Sequence, residues 1–249
     1  GYGNPELKWQ NTISYNVGVD MTLLKGLVVF NGDFYVKDTE NLLLPLTVAP
    51  STGFNSYVEN IGKLRNTGLE GRLRLNLIKD SQRDLRWNVT LSAFHNKSKI
   101  TKLSNQLEEI NKYANNDFYN KGTVVYRQYE AGRSQTALMV VQSGGIDPAT
   151  GNEIYIKRNG ELTFEYDAND KVKCGDLKPT IEGNVNTNLT WKGFTLYMLF
   201  KYQFGAKAYN GTLASKVEGA NPYRNADKRV LYDRWKEPGD HAKFRRIDD

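Results

Sequence analysis

Polar and apolar residues alternate with a period of two along much of this chain, and each alternating stretch lasts for about ten residues. In the first stretch, for example, Ile13, Tyr15 and Val17 alternate with Ser14 and Asn16. The six stretches are residues 12–21, 27–37, 68–77, 85–93, 184–191 and 194–204. Strands of soluble proteins are typically about five or six residues long, whereas a tilted strand needs about 9–11 residues to cross a bilayer. The pattern therefore predicts transmembrane β-strands with one apolar and one polar face.

The segments between these stretches are alternately short and long. Residues 21–26, 79–84 and 192–193 are short connections, and residues 40–62, 99–183 and those from 205 onward are long ones. This alternation is typical of outer-membrane barrels, which have short periplasmic turns and long extracellular loops. Trp87, Trp191 and Phe194 lie beside short connections, where such barrels carry an aromatic girdle. We therefore predict an all-β fold: an antiparallel transmembrane β-barrel with long extracellular loops.

The longest connection, residues 99–183, is interpreted as an extracellular loop with small hairpins of its own. Short runs at 123–129, 137–141, 153–157 and 161–166 have the composition of strands, and turn dipeptides such as Asn159-Gly160 separate them. Amphipathic helices are nearly absent. The weak candidate is residues 104–113, where Leu107 and Ile110 have helical spacing.

Composition narrows the choice of function classes. The chain has 249 residues with 34 Lys+Arg and 28 Asp+Glu, but no dense basic run that would support nucleic-acid binding. The longest apolar run, residues 196–200, is far shorter than the ~20 residues that a transmembrane helix needs. A single cysteine, Cys174, excludes an intramolecular disulfide framework and a cysteine-rich zinc site.

Residues that could carry chemistry are sparse. His95 and His241 are far apart in sequence and do not suggest a ligand pair. Asp167, Asn169 and Asp170 weakly resemble a calcium loop but lack its glycine and its terminal Glu. No two carboxylates are distinguished from the others as a glycosidase pair would be. We therefore predict no catalytic residues, no metal ligands and no cofactor.

The polar faces of the predicted strands are more informative. In a barrel they point inward, so they are candidates for lining the lumen or supporting a plug. The candidates are Glu70, Arg72, Arg74, Arg86, Asn88, Asn186, Asn188 and Lys201. Alternatively, these side chains face bulk solvent on a soluble sheet that is covered on one side. The two interpretations predict opposite exposure for the Leu and Phe faces.

Several segments of the chain, taken in order, resemble motifs of the SusC/RagA-like TonB-dependent transporters. They are Asn-Pro-Glu-Leu-Lys-Trp at 4–9 with Tyr-Asn-Val-Gly-Val-Asp at 15–20; the strand and exit at 34–43; Asn-Ile-Gly-Lys at 60–63 with Asn-Thr-Gly-Leu-Glu at 66–70; Gly-Ile-Asp-Pro-Ala-Thr-Gly at 145–151; and Asp-Lys-Arg-Val at 227–230 with Arg-Trp-Lys-Glu-Pro-Gly-Asp at 234–240. The resemblance covers essentially the whole chain.

The resemblance implies nutrient import across the outer membrane of a Gram-negative bacterium. The implied substrate is an oligosaccharide or a peptide, and the implied partners are a TonB energising complex, a SusD-like surface lipoprotein and outer-membrane lipid. No plug domain or TonB box is recognisable in the sequence, and six long strands do not close a barrel of the ~22-stranded class. Residues 1–249 are therefore expected to be a C-terminal portion of the barrel, without the plug and the closing strands.

Two other functions fit the same composition. One is a soluble β-sandwich that binds carbohydrate through exposed aromatic residues such as Tyr57 and Tyr223. The other is a secreted β-rich hydrolase. A requirement for detergent would distinguish the transporter from the binding module, and turnover of a glycan would favour the enzyme.

Overall fold

A computed structural model describes residues 4–47, 56–60, 62–114, 128–219, 223 and 225–247. The strands are β1 Asn11–Leu23, β2 Val28–Glu40, β3 Leu43–Thr47, β4 Ser56–Asn60, β5 Gly62–Asp80, β6 Leu85–Leu103, β7 Ala137–Val140, β8 Gln142–Ile146, β9 Glu153–Ile156, β10 Leu162–Thr163, β11 Val172–Asp176, β12 Ile181–Trp191 and β13 Phe194–Phe204. The helices are α1 Asn105–Ala114, α2 Gly211–Leu213, a π-helical turn at Ala214–Glu218, α3 Arg229–Tyr232, and short 3₁₀ turns at Leu24–Gly26 and Ala168–Asp170. Of the helices in these ranges, none combines the length and apolar character needed to cross a membrane.

The chain divides into two compact units. The first contains residues 1–107, 129–135 and 178–206, and the second contains residues 108–128, 136–177 and 207–249. The first unit includes the six long strands, β1, β2, β5, β6, β12 and β13. The second is formed by most of the longest connection together with the C-terminal segment.

The six long strands form one antiparallel sheet in the order β1-β2-β5-β6-β12-β13. Each strand pairs with the next long strand along the chain, as in an up-and-down barrel wall. The prediction of six long strands that pair antiparallel in sequence order is confirmed. Within the described ranges, β1 and β13 each have one pairing partner in this sheet.

The short connections all lie at one end of the sheet. Lys192 and Gly193 join β12 to β13, and their φ values of 47° and 83° are those of a two-residue type I′ hairpin. The amide of Lys192 also donates to the carbonyl of Asp84, 3.1 Å away, in the neighbouring turn. Because consecutive strands run antiparallel, the long connections leave from the opposite end of the sheet.

Two of the strands, β5 and β6, exceed their predicted lengths by far the most. β5 and β6 have 19 residues each, whereas the pattern indicated residues 68–77 and 85–93. Most of the additional residues come before Gly68 and after Ala93, where charged and polar residues replace the apolar ones on the apolar face. The period-two signal fades there although backbone pairing continues. β6 ends at Leu103 and β12 begins at Ile181, so the segment between β6 and β12 comprises residues 104–180.

The motifs at 4–9 and 60–63 lie side by side. The amide group of Asn60 bonds as a backbone peptide group does, because its Oδ1 accepts from the amide of Lys8 at 2.7 Å and its Nδ2 donates to the carbonyl of Lys8 at 2.9 Å. The same Nδ2 donates to the carbonyl of Asn41 at 2.8 Å. Asn60 therefore joins the segment before β1 to the β3–β4 hairpin.

The second unit contains small sheets, as the turn signals predicted. The predicted strands at 137–141 and 153–157 correspond to β7 and β9, but only Leu162–Thr163 of the stretch 161–166 is a strand. The stretch 123–129 lies almost wholly outside the described residues. The helix candidate 104–113 is confirmed as α1, Asn105–Ala114.

Two further sequence motifs, 145–151 and 234–240, pack against each other within the second unit. The carbonyl of Pro148 accepts from the indole Nε1 of Trp235 at 2.9 Å and from the amide of Gly239 at 2.8 Å. Gly151 has φ +71°, and a Cβ at that position would lie 2.4 Å from the Trp235 ring. Glycine is required there by both the backbone conformation and the ring.

Arg234 connects the C-terminal segment to the π-helical turn. Its side chain is buried, Nη1 donates to the carbonyl of Arg245 at 2.7 Å, and Nη2 donates to the carbonyl of Val217. Burial lowers the pKa of Arg234, and the nearby charge of Arg245 acts in the same direction. A guanidinium keeps its charge in proteins, so Arg234 acts only as a hydrogen-bond donor. It donates to carbonyl groups that have no partner within the helical turn.

Candidate functional site

The strand register places all the candidate lumen residues on one face of the six-stranded sheet. Directly opposite residues share a face, and the pairs Arg72–Ser92, Ser92–Asn184 and Asn184–Lys201 connect β5 to β13. Alternation along each strand places the other candidates on the same face. So do the pairs Asn76–Asn88, Asn88–Asn188, Thr90–Asn186 and Arg86–Thr190. Glu70, Arg72, Arg74, Arg86, Asn88, Asn186, Asn188 and Lys201 therefore form one polar face.

Charges on this polar face are arranged in rows across the strands. One row contains Asp33 and Glu70, which lie directly opposite each other, and continues through Phe94 to Glu182. The next row toward the short turns contains the two cations Arg72 and Lys201, with Asp20 at its β1 end. Adjacent rows on one face of a sheet are about 7 Å apart. An acidic row thus lies beside a row of mixed charge in which cations predominate, and this arrangement suits a ligand or protein segment with both acidic and basic groups.

A row of amides follows nearer the short turns. Asn76, Asn88 and Asn188 lie directly opposite one another on β5, β6 and β12. Asn76 donates from Nδ2 to the carbonyl of Gly26 at 2.7 Å, whereas Oδ1 of Asn188 is buried and accepts no hydrogen bond from the described residues. This row was not predicted, because an isolated strand sequence does not reveal which residue lies opposite.

Most of the candidate side chains have unused hydrogen-bonding capacity. Arg74 donates from Nε to Oδ1 of Asn76 at 3.2 Å. Within the described part of the chain, the other seven candidates make no side-chain hydrogen bond or ion pair with protein groups. Polar groups of this kind on an otherwise well-paired sheet are available to water, to another part of the protein, or to a substrate.

The opposite face of the sheet is apolar and exposed. The pairs Leu73–Leu91, Leu91–Val185 and Val185–Phe200 continue it across four strands. Leu69 is 57% exposed and Phe200 62%, so within the described ranges no second sheet covers them. The predicted continuous face contains Leu69, Leu73, Leu75, Val89, Leu91, Leu196, Met198 and Phe200. Leu77, also predicted there, is the extra residue of a β-bulge, and Ile78 pairs with Trp87.

The apolar face has defined upper and lower limits. Toward the short turns it ends with Trp87, Trp191 and Phe194, as the girdle prediction requires. Toward the long connections it ends where Arg65 donates to Asp38, with Nε–Oδ1 2.6 Å and Nη2–Oδ2 2.9 Å. On β13 it extends from Phe194 to Phe204, 11 residues. Tilted by about 45°, such a strand covers roughly 25 Å, the thickness of the apolar band of outer-membrane barrels.

A polar side chain on the apolar face has an internal partner. The indole Nε1 of Trp87 donates to Oγ1 of Thr187 at 2.8 Å. Since hydrocarbon offers no hydrogen bonds, this pairing satisfies both groups at a surface that lipid would cover.

The histidine and aspartates that the sequence analysis considered and rejected as metal ligands lie within hydrogen-bonding distance of backbone groups. Nδ1 of His95 lies 2.6 Å from the carbonyl of Thr180, and Asp167 accepts from the amide of Asn169 at 2.8 Å. Asp170 accepts from the amide of Arg158 at 3.0 Å. In the described part of the chain, no group of three or more His, Cys, Asp or Glu side chains could hold a metal ion.

Comparison with protein families gives a match over residues 1–213 to the TonB dependent receptor-like β-barrel. Among characterised sequences, a TonB-dependent receptor of Formosa agariphila is 26% identical over 235 residues, which are 88% of this chain and 23% of that protein. The TonB-dependent receptor SusC of Bacteroides thetaiotaomicron is 28% identical over 208 residues, which are 74% of this chain and 20% of SusC. The chain thus spans between a fifth and about a quarter of these relatives.

Solved structures with the same fold include the RagAB peptide transporter. The match has a TM-score of 0.74 at 22% sequence identity and covers 99% of this chain and 27% of the other chain. The RagAB peptide importer in its open-open state gives a TM-score of 0.72 at 24% identity. Both likenesses show a common fold, an antiparallel barrel wall of which this chain supplies a part.

Proposed function

The chain belongs to the TonB dependent receptor-like β-barrel family, and from this membership we propose that it forms part of the wall of a transporter that imports a nutrient across the outer membrane. Barrels of this family lie in the outer membrane of Gram-negative bacteria, and so does this chain. The observation that carries the proposal is the sheet itself, which has an exposed apolar face and an opposite polar face with unused hydrogen bonds.

The orientation of the wall follows from its connections. The short turns at 24–26, 81–84 and 192–193 face the periplasm, and the long connections face the outside. In this arrangement residues 104–180 belong to the extracellular loop region, and residues 1–249 are a C-terminal portion of the barrel. A plug and a TonB box in the complete receptor would couple import to the TonB complex.

The substrate we propose is an oligosaccharide or a peptide. SusC and the peptide transporter RagAB are similar to this chain, and the mixed acidic and basic rows of the polar face support a polar substrate or the plug as its neighbour. The proposed extracellular partner is a SusD-like lipoprotein. The relatives named above are receptors and transporters, and we propose that the chain catalyses no reaction.

Gene deletion with defined nutrients tests this function. Deleting the receptor gene should abolish growth on one of two sources, an oligosaccharide mixture or a peptide mixture, and the intact gene should restore it. Dissipating the proton motive force should stop uptake of the same source. Unchanged growth of the deletion strain on every source that the wild type uses through a TonB-dependent route would contradict the proposal.

The polar face is tested within the same system. The double substitution Arg72→Glu and Arg74→Glu reverses two charges on that face and should slow uptake with unchanged receptor abundance. Arg83→Glu, at an exposed periplasmic turn, is the matched control and should leave uptake unchanged. Equal uptake by the double variant and the control would show that the polar face does not contribute to transport.

A further inference from the structure

A group of cations lies on the apolar face immediately beyond its hydrophobic band. Arg65 and Lys99 lie directly opposite each other on β5 and β6, as do Lys63 and Lys102, and Lys97 lies opposite Thr67. We refer to Lys63, Arg65, Lys97, Lys99 and Lys102 as the basic strip. Strand geometry spaces successive members about 7 Å apart along a strand and about 5 Å across the pair.

This arrangement is unfavourable for the sheet alone. Two successive cross-strand pairs are like-charged, Arg65 with Lys99 and Lys63 with Lys102, and like charges directly opposite destabilise a sheet. Asp38 pairs with Arg65, and Glu40 pairs with Lys63. Both carboxylates pair with cations of β5, so they do not neutralise the positive charges on β6.

The three lysines of β6 are therefore the significant members of the strip. Lys97, Lys99 and Lys102 are exposed, and in the described ranges none of them makes an ion pair. Five cations against two carboxylates give the strip and its partners a net charge of +3. An external anion would offset the repulsion that the protein leaves in place.

The position of the strip indicates which anion. It is continuous with the row of Val17, Phe34 and Leu69, on the face that contacts lipid acyl chains. It also lies at the end of the sheet from which the long connections leave. The strip is therefore at the level of the headgroups of the outer leaflet.

We propose that the basic strip binds the phosphate groups of an anionic glycolipid in the outer leaflet. The ammonium groups of Lys97, Lys99 and Lys102 donate charge-assisted hydrogen bonds to phosphate oxygens, while the acyl chains lie along the apolar face. The assignment rests on the proposed orientation of the barrel, with the long connections outside.

Binding of lipid A to the complete receptor in detergent tests this inference. Wild type should bind phosphorylated lipid A, and K97Q/K99Q/K102Q should bind it more weakly by on the order of a hundredfold, since each cation near an anionic surface contributes roughly fivefold. K97R/K99R/K102R should retain binding, because it keeps the charges. K25Q/R83Q/K192Q removes three cations at the periplasmic turns and is the matched control, which should bind as wild type does.

Three results would overturn the inference. The first is equal binding of lipid A by wild type and K97Q/K99Q/K102Q. The second is equal affinity for lipid A and its dephosphorylated form, which would mean that only the acyl chains bind. The third is displacement of lipid A by inorganic phosphate at comparable concentration, which would indicate a site for a free anion. An uptake assay on the same variants separates this inference from the transport proposal, because lipid binding is measured whether or not the receptor imports anything.

Discussion

Gly68 and Gly71 on β5 and Gly183 on β12 are close in the sheet, yet a methyl group added at each would meet different surroundings. At Gly71 a Cβ would have no atom of the described residues within 4 Å. At Gly68 it would lie 2.1 Å from the ring of Tyr35, whose hydroxyl donates to Oδ1 of Asn96 at 3.3 Å. At Gly183 it would lie 1.9 Å from the backbone oxygen of Ser92. An added methyl group therefore has free space at Gly71, meets a side chain that can move at Gly68, and meets the backbone of a neighbouring strand at Gly183.

Alanine at these glycines should have graded effects on the unfolding free energy of the reconstituted receptor. Gly71→Ala should be neutral or stabilising by up to about 1 kcal/mol, because the unfolded chain loses freedom. Gly68→Ala should cost about 1–2 kcal/mol, because the ring shifts and its hydrogen bond is lost. Gly183→Ala should cost about 3 kcal/mol or more, because backbone must move. An equal cost at all three positions would contradict the register.

The hydrogen bond between Trp87 and Thr187 allows a second test on the apolar face. Thr187→Val keeps the shape of the side chain but leaves the indole N–H without an acceptor in a surface covered by lipid. We expect this substitution to cost about 1–2 kcal/mol. In the background Trp87→Phe, the same substitution should cost much less. A double-mutant cycle with no coupling energy would show that the bond contributes nothing.

At the residue scale, the sequence alone identified which residues share the polar face but not what they contact. Alternation assigns Glu70, Arg72 and Arg74 to one side of β5 because side chains alternate strictly between the two faces. The amide row of Asn76, Asn88 and Asn188 depends on pairing between residues up to a hundred positions apart in sequence, and on a bulge at Leu77. Register of that kind is fixed by tertiary packing and turn geometry, which no single strand encodes.

At the scale of elements, the six strands were predictable because each combines alternation with a recognisable turn. The ends of β5 and β6 were not, because beyond the apolar band there is no reason for one face to remain apolar. The β3–β4 hairpin also lacks clean alternation in its first strand, Leu-Leu-Pro-Leu-Thr at 43–47. The packing of 145–151 against 234–240 joins segments that are distant in sequence. Nothing in either segment's sequence indicates that the two are in contact.

Arginine placed on the two faces should distinguish a lipid-facing sheet from a solvated one. Leu73→Arg and Met198→Arg lie in central rows of the apolar face and should each cost about 2–4 kcal/mol, because hydrocarbon cannot solvate the guanidinium. Asn186→Arg, on the polar face, is the matched control and should cost less than about 1 kcal/mol. The measurement is unfolding of the reconstituted receptor in denaturant. If both apolar-face substitutions are neutral, that face does not contact lipid.

The turn at 145–151 should loosen at acidic pH. The Asp147 carboxylate accepts from Thr150 Oγ1 at 2.6 Å and from the amides of Ala149 and Thr150, and these bonds, led by the Thr150 hydroxyl, lower the pKa of Asp147. A lowered folded pKa means that the stabilisation is present above the ordinary Asp pKa of about 3.9 and is lost as pH falls through the folded value. Amide exchange at Gly151 and Gly239 should therefore accelerate at low pH after correction for intrinsic rates.

Asp147→Asn should remove this acid dependence, since the asparagine side chain does not titrate. Glu165→Gln, at an exposed carboxylate in the same unit, should leave the dependence as in wild type. Acid-induced loosening that persists unchanged in Asp147→Asn would assign the effect to another group.

At the scale of the whole molecule, the two outer strands decide how the chain behaves on its own. β1 and β13 each have one neighbour in the described sheet, so each presents a row of backbone N–H and C=O groups on its free edge. In hydrocarbon an unsatisfied backbone group costs several kcal/mol, and only closed barrels avoid that cost. In water the same sheet exposes the apolar face from Val17 to Phe200.

Residues 1–249 expressed alone should therefore not form a stable closed pore. We expect the chain to require detergent, to pair with further strands supplied in trans, or to self-associate through the free edges of β1 and β13. Sedimentation in plain buffer should show aggregates, and planar bilayers should show no conductance of uniform size. Adding the remaining barrel strands as a second polypeptide should restore heat-resistant migration in gels, because each free edge then has a partner. A monomer that stays soluble in plain buffer and unfolds cooperatively would instead require a structure in which the apolar face is covered by the chain itself, as in a β-sandwich.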